Sequence, residues 1–173
     1  MKRLALVTFA LILAGGCSSS SPSTPTASGP TLTAVLSPAN EVPPVSNAES
    51  TGSGNATITF NLTKDAQGNI TAGTATFVVS LTGFPNGTPI NIAHIHVGPA
   101  GVAGGIVFST QLSTGDAVVL ANGSGQFTKP GIPPSSGLAT MQAIINNPSG
   151  YYFNVHSSLN PAGVARGQLV LVQ

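Results

Sequence analysis

The sequence predicts an all-β fold, an antiparallel β-sandwich or barrel with one short helix. Three observations carry this. From about residue 31 onward apolar residues alternate with Thr, Ser and Asn, Gly/Pro/Asn clusters interrupt that alternation at short intervals, and a single segment switches to helical spacing. Period-two alternation matches the pleat of a half-buried strand, whose successive side chains face opposite sides.

The chain opens on MKRLALVTFALILAGGCSSS, with Lys2 and Arg3 ahead of an apolar stretch from Leu4 to Leu13. That stretch is too short for a membrane span and reads as a secretory signal, residues 1–16. Its end, Leu13-Ala14-Gly15-Gly16-Cys17, resembles a bacterial lipobox, in which the cysteine becomes the lipidated N-terminus after cleavage. Cys17 is the only cysteine of 173 residues, so no disulfide framework is available and the thiol is free for acylation. Ser18 rather than an acid follows it, which favours the outer membrane in a host that has one. Residues 17–30, rich in Ser, Thr and Pro, read as a tether. The expectation is a domain of residues 31–173 held outside the cytoplasm at the cell envelope by a lipid anchor.

Within the domain, strands are expected near 32–37, 55–63 and 74–81, then near 90–97, 105–112, 117–121, 151–156 and 166–172. The stretch Lys64-Asp-Ala-Gln-Gly-Asn69 joins two of them as a hairpin loop, with Gly68-Asn69 suited to positive φ. Between Ser136 and Asn146 the residues Leu138, Met141, Ile144 and Ile145 fall at helical spacing. They predict a short helix packed on the sheet, with Ser136 placed to cap it and Asn147-Pro148 to end it.

The pentapeptide PAGVA occurs twice, at residues 99–103 and 161–165, each time a few residues after a histidine and just before an apolar run. A Pro at the second position of a four-residue turn presets φ, so Gly98–Gly101 and Asn160–Gly163 both fit a type I turn. Each copy is expected to reverse the chain after a histidine-bearing strand, giving two related hairpins with His96 and His156 near one end of the sandwich.

Around these hairpins a family resemblance appears. Ala93-His-Ile-His-Val97 with its Gly/Pro loop, and Tyr152-Phe-Asn-Val-His156 followed by Asn160-Pro-Ala-Gly-Val-Ala-Arg-Gly-Gln-Leu169, resemble the two signature motifs of the CHRD (chordin-type) domain. Leu36-Ser-Pro-Ala-Asn-Glu-Val-Pro-Pro-Val45 resembles the opening motif of its bacterial members. The resemblance implies an immunoglobulin-like β-sandwich with faint similarity to Cu/Zn superoxide dismutases. The chain departs from the family pattern at Val164 and Ala165, where an acidic residue and an isoleucine usually precede Arg-Gly-Gln.

Composition narrows the function. Without residues 1–16 the charged residues are Lys64, Lys129 and Arg166 against Glu41, Glu49, Asp65 and Asp116, three cations to four anions and a net charge of −1. So few cations give no footprint for nucleic acid, and so few acids give no calcium cage or catalytic carboxylate pair. No Gly-x-Ser-x-Gly elbow occurs, and three histidines with one cysteine are too few for a two-metal dismutase site.

The histidines are the remaining chemistry. On one strand His94 and His96 share a face, roughly 7 Å apart at Cα. If the two hairpins lie side by side, His156 joins them, and three imidazoles suit copper or zinc. Otherwise the three rings satisfy loop carbonyls. Arg166, the only arginine after the signal, is expected either to contact an anion or substrate near the histidines or to bond loop carbonyls or Glu41. Two functional readings follow: a non-enzymatic, membrane-tethered module that binds a protein, a glycan or another envelope component, and a copper- or zinc-binding or redox protein built on His94, His96 and His156.

Overall fold

A computed structural model describes residues 28–172. The signal peptide, Cys17 and most of the tether lie outside the described residues. Among the described residues no helix is long and apolar enough to cross a membrane. Ten strands and one helix follow in order: β1 (Ser28–Leu36), β2 (Ser53–Lys64), β3 (Ile70–Thr82), β4 (Thr88–Val97), β5 (Ile106–Ser109), β6 (Val118–Leu120), β7 (Gly125–Ile132), α1 (Gly137–Asn146), β8 (Tyr151–Ser157), β9 (Ala165–Gln168) and β10 (Val170–Leu171). β1 begins at Ser28, inside the stretch read as tether.

The strands form two antiparallel sheets. The first has the order β10-β1-β2-β3-β7; the second has the order β5-β4-β8-β9, with β6 also paired to β4. An isolated bridge between Ser37 and Arg166 ties the end of β1 to β9 and closes one corner of the sandwich. The inner faces carry the apolar half of each alternation. Phe77 on β3 reaches across to Phe108 and Phe153 on the second sheet, with ring centroids 5.4 and 6.0 Å apart, and Ile58, Phe60, Ile95 and Val155 fill the layer around them. Aromatic pairs of this kind add to the burial of their area.

The helix lies where expected, with Met141 and Ile144 fully buried and Leu138 and Ile145 at its margin. Met141 packs over Gly73 of β3, where a Cβ would come within 2.7 Å of the methionine sulfur. Ser136 occupies the N-cap position without a side-chain cap bond; its carbonyl instead accepts from the Thr140 hydroxyl.

Three expectations need correction. The stretch 166–172 is not one strand. It splits into β9 and β10, which belong to different sheets, and the chain crosses between them at the buried Leu169. β7 is an additional strand. Pro130 and Gly131 disguise it, and an edge strand tolerates both because a missing N–H faces no partner there. In the β2–β3 hairpin only Gly68 takes a positive φ, and Asp65 organises the loop by accepting from the backbone N–H groups of Gln67 and Asn69.

Candidate functional site

The antiparallel pairing of β4 with β8 builds the site. His94 stands opposite Asn154, His96 opposite Tyr152 and His156 opposite Ile92, so alternation places all three histidines on one side of the second sheet. Ala93, Ile95, Phe153 and Val155 point the other way, into the core. Both hairpins exist, since β5 pairs with β4 and β9 with β8. The histidines nevertheless converge on the outward face of the sheet rather than at one end of the sandwich. In an antiparallel pair the late positions of two strands lie at opposite ends, and the rings lean inward to meet over the middle.

That outward face is covered by loops. The segment 38–50 and the two PAGVA loops fold over it, leaving His96 and His156 each only 7% exposed. The two identical pentapeptides do not turn alike. The first closes at Pro99–Val102, with Gly101 at φ +79°, one residue later than expected, as a type II turn demands of its third position. The second closes at Asn160–Gly163, as expected.

Each loop returns a carbonyl to a histidine. His96 Nδ1 lies 3.0 Å from the Gly104 carbonyl and His156 Nδ1 lies 3.1 Å from that of Pro161. A carbonyl oxygen only accepts, so both rings donate from Nδ1 and carry their lone pair on Nε2. Those two Nε2 atoms, together with His94 Nδ1, are buried without a partner. One ring nitrogen from each histidine lies within 4.8 Å of the other two. Ring centroids are 5.6 Å apart for His94 and His96, 5.3 Å for His94 and His156, and 5.9 Å for His96 and His156.

The electrostatics disfavour the charged form of all three rings. Burial pushes His94 down to about 4, helped by His156 and His96. Burial also lowers His96 and His156 from the ordinary histidine value, against the raising effect of the carbonyl each one bonds. Neutral imidazole is the form that ligates a metal.

Around the triad stand Tyr152, Arg166 and Glu49, of which the sequence marks only Arg166 as a candidate. Tyr152 stacks on His96 with centroids 5.0 Å apart and an interplanar angle of 10°, and its hydroxyl accepts from the Gly104 N–H. The Arg166 guanidinium lies 4.4 Å from the centroid of the same tyrosine ring. Arg166 takes the structural part of its expected role: Nε donates to the Asn40 carbonyl at 2.6 Å and Nη1 to the Val102 carbonyl at 3.0 Å. Glu49 lies buried under the second PAGVA loop, accepting from Ser157 and Asn160. The parity of Tyr152, Asn154 and His156 on one strand was the available signal for Tyr152 and Asn154. Nothing local marks Glu49, whose partners lie more than 100 residues away.

The fold and this face define a class: an all-β sandwich module with a loop-covered polar site on the outside of one sheet. The chain belongs to the CHRD domain family, which matches residues 32–169. Membership is that of a binding or interaction module. No curated protein and no solved structure matches it.

Proposed function

We propose that this CHRD domain is a metal-binding module, held outside the cytoplasm by a lipid on Cys17, whose histidines 94, 96 and 156 bind copper or zinc. The observation that supports the reading is the set of three buried ring nitrogens without partners, two of them on rings fixed by a backbone carbonyl at the opposite nitrogen. That arrangement matches the outer shell of metal-ligating histidines, in which the second nitrogen donates to a carbonyl and sets ring orientation. Bonds of about 2 Å to each nitrogen allow ligand atoms up to about 4 Å apart. Separations of 4.8 Å or less therefore need only small ring rotations. With no thiolate and no carboxylate among the three, the donor set suits copper(II) and zinc, copper binding more tightly by the general order for divalent ions.

His94, the least buried of the three, is the side from which a fourth ligand would enter. The test is a copper and zinc titration of the tag-free protein, read by metal content and thermal unfolding, beside His94→Ala, His96→Ala and His156→Ala. One ion per chain in the parent and weakened binding in each variant are expected, with about 4 kcal/mol of added stability when free metal exceeds Kd a thousandfold. Equal, weak binding by all four proteins would leave the histidines as structural residues.

A further inference from the structure

The metal reading does not account for a cavity of about 450 Å³ on the far side of Tyr152, bounded by Ala39, Glu41, Val42, Pro44, Ala100 and Arg166 among others. We propose that this cavity binds a small aliphatic carboxylate, whose two oxygens bridge the Arg166 Nη2 group and the carboxyl group of Glu41.

Arg166 is 2% exposed, and with Nε and Nη1 held by loop carbonyls its head group is fixed while Nη2 has no partner. Among the described residues no carboxylate lies within 4.0 Å of it, the one ion pair being Lys129 with Asp116. A buried cation without a counter-ion is costly, and an anionic ligand relieves that cost.

Glu41 supplies the second contact. It is 7% exposed, its Oε1 has no partner, and burial pushes it up to about 7 against the lowering effects of Arg166 and an Asn154 hydrogen bond. Near neutrality it therefore holds a proton for much of the time and can donate to a ligand oxygen. Arg166 on β9 is the charged group acting on it. From β8 it meets the neutral Asn154, and the turn at Gly163 brings only backbone against it. His156, further along β8, is lowered from the ordinary histidine value by burial.

The walls choose among anions. Ala39, Val42, Pro44 and Ala100 are apolar, and one guanidinium facing a carboxyl suits a single negative charge better than two. A short fatty acid meets both conditions; sulfate meets neither, and phosphate, a monoanion near pH 6, lacks the aliphatic part. The volume lies in the ordinary range of small-molecule sites.

The test is a butyrate titration of the full chain by calorimetry and NMR, in chelator so that it is independent of the histidine centre. Saturable one-to-one binding at pH 6 is expected, about tenfold weaker at pH 8, because a carboxyl titrating near 7 is about nine-tenths protonated at the lower pH and one-tenth at the higher. Arg166→Gln should abolish binding. Because that variant also loses two loop contacts, Glu41→Gln provides the independent check: it should bind butyrate with no pH dependence between 6 and 8, and His94→Ala should bind as the parent does. Absence of saturable binding at pH 6, equal binding of phosphate, or an unchanged pH profile in Glu41→Gln would overturn the proposal.

Discussion

Glu41→Gln should expose a hidden acid sensitivity of the metal-free domain. Burial raises Glu41 from 4.5 to about 7, so between those values the folded chain holds a proton that the unfolded chain has released. Its contribution is fully present below pH 4.5 and is lost as pH rises through 7. The gap corresponds to about 3 kcal/mol. His94 works in the opposite sense. Lowered from 6.5 to about 4, it leaves the unfolded chain binding the extra proton over that window, so stability falls by a similar amount, about 3 kcal/mol, as pH drops from 6.5 to 4.

Over the shared window of 4.5 to 6.5 the two effects nearly cancel. The parent should then show a shallow acid decline set by His96 and His156, both lowered by burial. Removing Glu41's titration leaves the histidine terms unopposed, and Glu41→Gln should lose roughly 3 kcal/mol more than the parent between pH 7 and pH 4.5. His94→Gln should bend the profile the other way and gain stability over part of the same range. Urea unfolding at pH 4.5, 5.5, 6.5 and 7.5 in chelator measures both. Parallel profiles for parent and Glu41→Gln would refute the reasoning, because they would mean that Glu41 titrates alike in the folded and unfolded chain.

Other outcomes follow from the same geometry. Met141→Asp should leave the domain unfolded, since an unpaired charge at a fully buried site costs several kcal/mol against a usual total of about 5 to 15; a native circular dichroism spectrum would show that this face is open. Gly101→Ala should cost only about 1 kcal/mol, for its φ of +79° with open space around it, whereas Gly163→Ala should cost roughly 3 kcal/mol, because its Cβ would lie 2.6 Å from Asn154 Nδ2 and 2.8 Å from the Glu41 carboxylate; denaturant midpoints compare the two. Cys17→Ser should release the protein from membranes and give a lipid-free mass, read by fractionation and mass spectrometry.

Legibility in the sequence followed the reach of the interactions. β2, β3, β4 and β8 were readable because each carries its own alternation, and α1 because Met141 and Ile144 obey a local period. The break between β9 and β10 was not, because the residues that separate them are ordinary strand residues and only the second sheet's edge decides where the chain must cross. The first PAGVA turn was misframed by one residue for a similar reason. Both copies have the same local preferences, and the neighbours differ: a Cβ would meet the Val97 carbonyl at Gly104 in one, and the Asn154 amide and Glu41 carboxylate at Gly163 in the other.

The same alternation that revealed the strands also concealed what their second face does. In a half-exposed sheet, His94, His96, Asn154 and His156 would read as polar residues turned to water, and period two supports nothing beyond that. Here loops of segment 38–50 and of both PAGVA turns cover the face, so the polar half of the pattern becomes buried. The six buried side-chain atoms without a hydrogen-bond partner among the described residues are all here: one nitrogen from each histidine, then Asn154 Oδ1, Glu41 Oε1 and Arg166 Nη2. Buried polar atoms are usually paired, because an unpaired one costs about 1 to 3 kcal/mol. The gathering of these six on one face is the observation from which both proposals are argued. In the two proposals the three histidine nitrogens would hold a metal ion, and Arg166 Nη2 with the protonated Glu41 would hold a carboxylate; Asn154 Oδ1 is matched by neither. Tyr152 touches both groups of atoms, its ring stacked on His96 and 4.4 Å from the Arg166 guanidinium.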